Sequence, residues 1–575
     1  VERYIPTAVS LLCGVYGAVP PAAETRQTSN ILVGATKRFI NKNVEPDAAT
    51  LFRFKKFVTS WIHSNLTPLT EVPDYKKWLM RPGIPDWKRA AIDKDYQSYL
   101  KQKNMIDALL QSFILKSKTS SLARMPPALA RVCGIGNFAK LEHYPSVKPS
   151  RNINARRNAY KGIVGPYYAA IEKQVYQNPW FIKHTPVDKR PAVISQDIVV
   201  PGWRYFSTDY SSFEGSFCEK VQDSCEMILY DYMLSKIGGP LDWIHIQNKT
   251  NCVEGKNFKM YTQASRMSGE MCTSLGNGFT NMMLMKFACH EARLPVKGKI
   301  EGDDGLFSCP SVPPTDSITK LGFKLKMLEV PVNEASFCGQ IFDLDTKTVI
   351  ADPYYSLATS GFSFNCVGAS ERTKHTIMGA KGLSMMFQYK GCPLLWSWGD
   401  RMFRTSLKYT GLTPAQQREC IRNYYMKSNR VNEWDRAQML EAVDGDLSPL
   451  INMSTRETFE RLYHISVQHQ QELENLFQSG TGWFYNTGYL ECLANYRAIN
   501  LDGTIADNRC WISEWQKLQN VQCNQNSTPK ELALQQTQFA KGFEDAKELR
   551  ALCIPQAERD DFIYDNDFPH PLQLT

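Results

Sequence analysis

The sequence predicts an α+β fold in which an antiparallel sheet is backed by helices, and three segments predict it. Glu301-Gly302-Asp303-Asp304-Gly305 lies between the apolar runs Val296 to Ile300 and Leu306-Phe307, which reads as strand, tight turn, strand. Tyr205 and Phe206 have strand character and lead into Asp209. Beyond it Phe217, Val221, Cys225, Ile228 and Tyr232 recur mainly at helical spacing. In the third segment Leu275, Phe279, Met282 or Met283, and Phe287 form an apolar stripe on a helix that stops before Pro295.

Taken in chain order, the apolar stretch Ala8 to Val19, closed by Pro20-Pro21, is too short to span a membrane; it could be a buried helix, a membrane-touching segment or a signal-like region, and the core helix is the favoured reading. Thr50 to Trp61 and Tyr96 to Lys116 read as helices. The helix after Asp209 ends at Gly238-Gly239-Pro240, and residues 241–264, rich in Asn and Lys, leave the sheet and return to it. Downstream, Lys374 to Tyr409, Gln416 to Leu440 and Glu457 to Phe477 read as helices. Ser479-Gly480-Thr481-Gly482 marks a boundary. Beyond it come Trp511, Trp515 and the acidic stretch Glu558 to Asp567, where disorder is expected.

With 575 residues, 43% hydrophobic and 22% charged, the chain is globular and exceeds one ordinary domain. Lys and Arg outnumber Asp and Glu by 67 to 58, a formal charge of +9 that is compatible with a nucleic-acid channel. The 16 cysteines contain no CxxC pair, which removes a zinc ribbon and favours reduced thiols. Val1 in first place suggests a fragment of a larger product.

The chemistry rests on acids. Two carboxylates on a hairpin tip repel each other unless a cation sits between them, and hard divalent ions take such oxygen ligands. An Asp-Gly turn is also an ordinary solvated turn, and Asp209 alone could be a helix cap. A carboxylate at a strand end can, however, meet a hairpin tip on the neighbouring strand. Asp209 and Asp303 could then hold two divalent ions that align a hydroxyl with a phosphorus. In Arg266 to Asn277, Ser268-Gly269 suits a mobile turn. Thr273 and Asn277 share one helix face, where a hydroxyl and an amide can read a ribose. Arg151, Arg156, Arg157 and Lys161, interleaved with Asn152, Asn154 and Asn158 and next to Tyr160, suit the phosphates and bases of an RNA strand; a solvated helix face is the competing reading.

Together these segments resemble the palm motifs of viral RNA-dependent RNA polymerases of positive-strand RNA viruses. The pattern is Asp209 with Glu214, then Ser268, Gly269, Thr273 and Asn277, then Gly302, Asp303 and Asp304. The phrase Arg266 to Asn277 looks most like tombusvirus and nodavirus-like polymerases, and the close likeness covers residues 180–340. The resemblance implies a right-hand polymerase with fingers, a palm of antiparallel sheet and helices, and a helical thumb. Residues 1–200 would be N-terminal extension and fingers. Residues 201–240 and 265–345 would be palm, 241–264 a fingers insertion, 346–480 thumb and 481–575 a thumb extension.

It further implies RNA-templated RNA synthesis with two Mg2+ or Mn2+ ions, held by Asp209, Asp303 and Asp304. Glu214, Ser268, Gly269, Thr273 and Asn277 would place the nucleotide. Glu214 stands where the family usually has Asp. Lys183, Lys189 and Arg190, in the basic-then-apolar run to Ile194, are similar to the fingers motif that grips the triphosphate, although Ala192 stands where the family often has arginine. In Leu321 to Lys326, Lys326 in preference to Lys324 resembles the lysine that protonates pyrophosphate, and Phe337-Cys338-Gly339 resembles the hairpin that supports the primer end. The implied partners are template RNA, nascent RNA and ribonucleoside triphosphates, with other viral replication proteins and host membranes reached through regions outside this sequence. The implied location is membrane-associated replication complexes in the host cytoplasm. A reverse transcriptase would be expected to carry an aromatic residue where Gly302 stands. A non-catalytic RNA-binding scaffold would not need its three aspartates intact.

Overall fold

The computed structural model describes residues 8–12, 14–15, 25, 28–39, 44–81, 84, 86–119, 124–143, 150–364, 366, 368–427, 433–479, 484–485 and 490–493. The fold mixes helices with largely antiparallel sheets, as the sequence predicts. The strand Arg204–Tyr210 lies inside a four-stranded sheet in the order Leu325–Val330, Arg204–Tyr210, Asp304–Cys309, Lys297–Glu301, every pair antiparallel. Phe206, Thr208 and Tyr210 alternate into the core, so Ser207 and Asp209 face the opposite side. The helix Thr273–Glu291 runs through the main core. Leu275, Phe279, Met282, Met283 and Phe287 of its expected stripe are all buried, as are most of its other residues.

Residues 241–264 do leave this sheet. Thr250–Gly255 and Phe258–Gln263 form a hairpin in a second sheet, ordered Asn152–Arg156, Ile135–Ala139, Thr250–Gly255, Phe258–Gln263, where Ile135–Ala139 and Thr250–Gly255 run parallel. Phe337-Cys338-Gly339 makes the turn of a hairpin, Ala335–Phe337 with Gln340–Asp343. Helices dominate beyond it: Glu371–Gln388, Leu395–Thr410, Pro414–Lys427, Glu433–Asp444, Met453–Tyr463 and Val467–Ser479. They carry cores of their own around Trp398 and Phe387.

Several expected single helices are broken. The span expected over 96–116 is two helices, Asp86–Leu100 and Lys103–Thr119, separated by a turn. Tyr99 Oη donates to Asp107 Oδ1 at 2.8 Å and Trp243 Nε1 donates to the same oxygen at 3.0 Å, a tie invisible to local periodicity. After Asp209 a short turn, Phe213–Ser216, precedes two helices, Glu219–Ser224 and Glu226–Leu234, which meet at a non-helical Cys225. Pro393 lies in the break between Glu371–Gln388 and Leu395–Thr410. The core helix expected over 8–19 is corrected in its described part. Ala8–Leu11 is a strand paired with Phe362–Ser363 and Leu490–Leu493, so long-range pairing overrides local apolarity. Trp511, Trp515 and residues 558–567 lie outside the described residues. Among the described residues no helix is long and apolar enough to cross a membrane, and the described cysteines are free thiols.

Candidate active site

Antiparallel pairing places directly opposite residues on one face of a sheet. Lys326 pairs with Asp209, and Glu301 pairs with Asp304. Thr208 pairs with Gly305, so the next step along the ladder sets Asp209 beside Asp304. Lys326, Asp209, Asp304 and Glu301 therefore form a row across the four strands, with Asp303 at the adjoining turn. Asp209 and Asp303 are exposed and Asp304 is half-buried. Burial, and after it the negative charges of Asp303, Asp209 and Glu301, push the Asp304 carboxyl up to about 6.

The hairpin tip is fixed from behind by a residue that the sequence reading missed. Asn281 Nδ2 lies 3.2 Å from the carbonyl oxygen of Gly302 and 3.1 Å from those of Asp303 and Asp304, while Asn281 Oδ1 accepts from Tyr210 Oη at 3.3 Å. The signal was available, since Asn281 is one helical turn beyond Asn277 on the face already singled out. Gly302 adopts φ +62, the left-handed turn conformation that glycine tolerates without strain.

The Ser268-Gly269 loop is bracketed by two buried ion pairs, Arg266 with Glu226 and Glu270 with Arg156. Gly269 sits at φ +122, where a Cβ would come within 3.0 Å of the Asn154 carbonyl oxygen. Ser268 meets that neighbour too, its carbonyl accepting from Asn154 N at 2.6 Å. The Thr273 hydroxyl is engaged locally, donating to Met267 O at 2.9 Å. Asn277 is different: its Oδ1 is buried and meets no donor among the described residues. Glu214 lies in the turn after Asp209, and its carbonyl accepts from Arg266 N at 3.2 Å. Its carboxylate pairs with Arg38 of the helix Thr28–Phe39, a partner far away in sequence that the sequence reading did not single out.

The expected triphosphate-gripping cations divide. Lys183 and Arg190 both reach Glu301 at the end of the acid row, at 2.9 and 3.4 Å. Lys189 is exposed and lies within electrostatic reach of Glu441 instead. Cys338, at the turn of its hairpin, approaches Glu301 Oε2 at 4.0 Å. Its thiol is pushed up by burial and by the Asp304 and Glu301 charges.

The expected RNA-binding cluster does not form one surface, and this corrects the sequence reading. Asn152, Asn154 and Arg156 share the inward face of a strand because side chains alternate there. Arg156 is fully buried, donating to Glu270 at 2.6 Å, to Asn251 at 2.7 Å and to the Cys133 carbonyl at 2.8 Å. The asparagines are buried too: Asn152 donates to Ile31 O and Asn137 Oδ1, and Asn137 to Asn154. Arg157 pairs with Glu254. Lys161 is drawn inward and held down to about 8, by burial first and then by Lys88. Arg151 remains largely exposed, 3.6 Å from Glu142 and within electrostatic reach of Arg38.

The acid row supplies hard oxygen donors under mutual repulsion, a donor set that fits divalent cations. Among the described residues no three His, Cys, Asp or Glu side chains already form a metal cage.

Residues 240–443 match the family model described as viral RNA dependent RNA polymerase. The curated relatives include the RNA-directed RNA polymerases of striped jack nervous necrosis virus and greasy grouper nervous necrosis virus. Each is 26% identical over 213 residues, covering 33% of this chain and 20% of the relative. The match thus spans about a fifth of the length of those relatives. Asp303, Asp304 and the Ser268 loop fall inside the family match and Asp209 before it. By these matches, residues 240–443 are similar to the viral RNA-dependent RNA polymerase family that the motifs resemble.

Proposed function

We propose that this chain adds ribonucleoside monophosphates to an RNA 3′ end under the direction of an RNA template, releasing pyrophosphate. The observation that carries the reading is the row Lys326, Asp209, Asp304 and Glu301 on one sheet face.

Asp209 and Asp303 hold the divalent ions, Mg2+ or Mn2+, and Asp304 adds charge beside them. When bound, these ions lower the barrier to in-line phosphoryl transfer by neutralising charge on the attacking and leaving oxygens. Lys326, opposite Asp209, is placed to give a proton to the departing pyrophosphate. Lys183 and Arg190 together outweigh the charge of Glu301, which they both meet, and the surplus positive charge attracts the triphosphate. Asn277 has an unused acceptor for a ribose hydroxyl, and the Glu214 carboxylate, in the turn after Asp209, supplies a second. Ser268 and Gly269 shape the loop beneath them. Thr273 serves by fixing that loop, since its hydroxyl is already committed. In this reading the four-stranded sheet is the palm and the helices beyond Glu371 the thumb.

The test is RNA-templated incorporation by the purified chain beside Asp303→Ala, with ribo- and deoxyribonucleotides in parallel. Incorporation of ribonucleotides that falls at least about a hundredfold in the variant supports the proposal. Equal activity in both proteins, or preference for deoxyribonucleotides, removes it.

A further inference from the structure

The Arg38–Glu214 pair joins the N-terminal helix Thr28–Phe39 to the turn that follows Asp209. Arg38 Nη2 meets Glu214 Oε2, and Nη1 approaches the Asn152 carbonyl oxygen at 3.4 Å. Both side chains are largely covered, 23% and 13% exposed. Arg38 Nε is buried and meets no acceptor among the described residues. The guanidinium is also within electrostatic reach of Asp303, so it borders the acid row as well as Glu214.

A glutamate has one more rotatable bond than an aspartate, and an unrestrained acceptor offers poor geometry to a hydroxyl. A guanidinium held by Nη2 on one carboxylate oxygen and by Nη1 on the Asn152 carbonyl restricts that freedom and leaves the other carboxylate oxygen as an acceptor. We propose that Arg38 is a specificity-determining positioning residue, which clamps Glu214 so that its free oxygen, with Asn277, accepts the ribose hydroxyls of the incoming nucleotide. The inference rests on the polymerase reading and extends it to a part of the chain outside the matched family segment. Burial and the neighbouring Arg151 lower the Arg38 guanidinium to about 10, with Asp303 opposing, so it stays charged at neutral pH and the clamp holds there.

The experiment measures kcat and KM for a ribonucleoside triphosphate and its 2′-deoxy analogue on one RNA template, in wild type, Arg38→Gln, Arg38→Lys, Glu214→Gln and the double variant Arg38→Gln/Glu214→Gln. Thermal unfolding checks that each is folded. The expected result is that Arg38→Gln lowers discrimination between the two nucleotides by about tenfold or more, mainly by raising KM for the ribonucleotide. Glu214→Gln gives a similar loss, and the double variant adds little to either, since the two residues act as one unit. Arg38→Lys keeps the charge without the fork and falls between; it decides the question if Arg38→Gln does not fold. Unchanged discrimination in a folded, active Arg38 variant overturns the inference, as does an equal loss for both nucleotides. A wild-type protein that incorporates neither nucleotide overturns the polymerase reading itself.

Discussion

Lys326 stands directly opposite Asp209 across two antiparallel strands, so a cation and a carboxylate share one face at the edge of the acid row. Lys326 is exposed. If it donates a proton to pyrophosphate, its removal slows the chemical step and leaves binding nearly intact. Lys326→Ala is expected to lower the single-turnover rate by about a hundredfold with a small change in KM. Rapid-quench incorporation checks this. A change confined to KM assigns Lys326 to binding alone.

Asp304 gives a pH dependence whose sign is fixed. Its ordinary pKa is near ~3.9, and burial with the neighbouring acids raises it to about 6 in the fold. A carboxyl with a raised folded-state pKa takes up protons on folding between those values. The metal-free protein therefore gains stability from this group as pH falls through about 6 toward about 4, and the full penalty is present above 6. Asp304→Asn removes the penalty. It is expected to raise the metal-free Tm at neutral pH and to leave it little changed near pH ~4. Mg2+ should raise the wild-type Tm more at neutral pH than in acid, which differential scanning calorimetry with and without the ion measures.

The acid row was legible because its parts are local. A Gly-Asp-Asp-Gly hairpin and an aspartate at a strand end each announce themselves, and sheet pairing needed only to bring them side by side. The errors have one physical source, which is that local periodicity carries no information about long-range partners. Arg156 looked like an RNA contact because its charge was visible and Glu270 was not. Strand alternation through Asn152, Asn154 and Arg156 could have warned that one face turns inward. Arg38 was missed for the same reason, since its partner Glu214 is reached only through tertiary folding. The broken helices after Asp209 and after Leu100 keep helical spacing through their breaks, so the stripe reads as continuous.

Asn281 is expected to matter through the hairpin rather than through substrate. Its amide holds three successive carbonyls of the turn that carries Asp303 and Asp304. Removing it frees the turn to wander and leaves those oxygens short of a donor. Asn281→Ala should weaken Mg2+ affinity by about ten- to a hundredfold while the protein still folds. Isothermal titration with Mg2+ measures the loss directly. Asn281→Leu tests the hydrogen bonds without adding charge, because it keeps roughly the size and removes the amide.

Arg151 and Arg156 separate a surface charge from a structural one. Arg156 is buried against Glu270, and its loss leaves that carboxylate uncompensated inside the protein. Arg156→Ala is expected to cost about 3–5 kcal/mol of stability. The RNA affinity of the protein that remains folded should keep its salt dependence, because no phosphate contact has been removed. Arg151 is 60% exposed on its side chain and lies near Arg38 at the rim of the site. Arg151→Ala should leave Tm within about 1 °C of wild type, since exposed pairs contribute little. It should also reduce the slope of log affinity against log salt by about one ion for single-stranded RNA. Fluorescence anisotropy across a salt series, with thermal unfolding on the same samples, distinguishes the two residues. The reverse pattern, a salt slope lost with Arg156 and stability lost with Arg151, would return the RNA contact to the inward face of the strand.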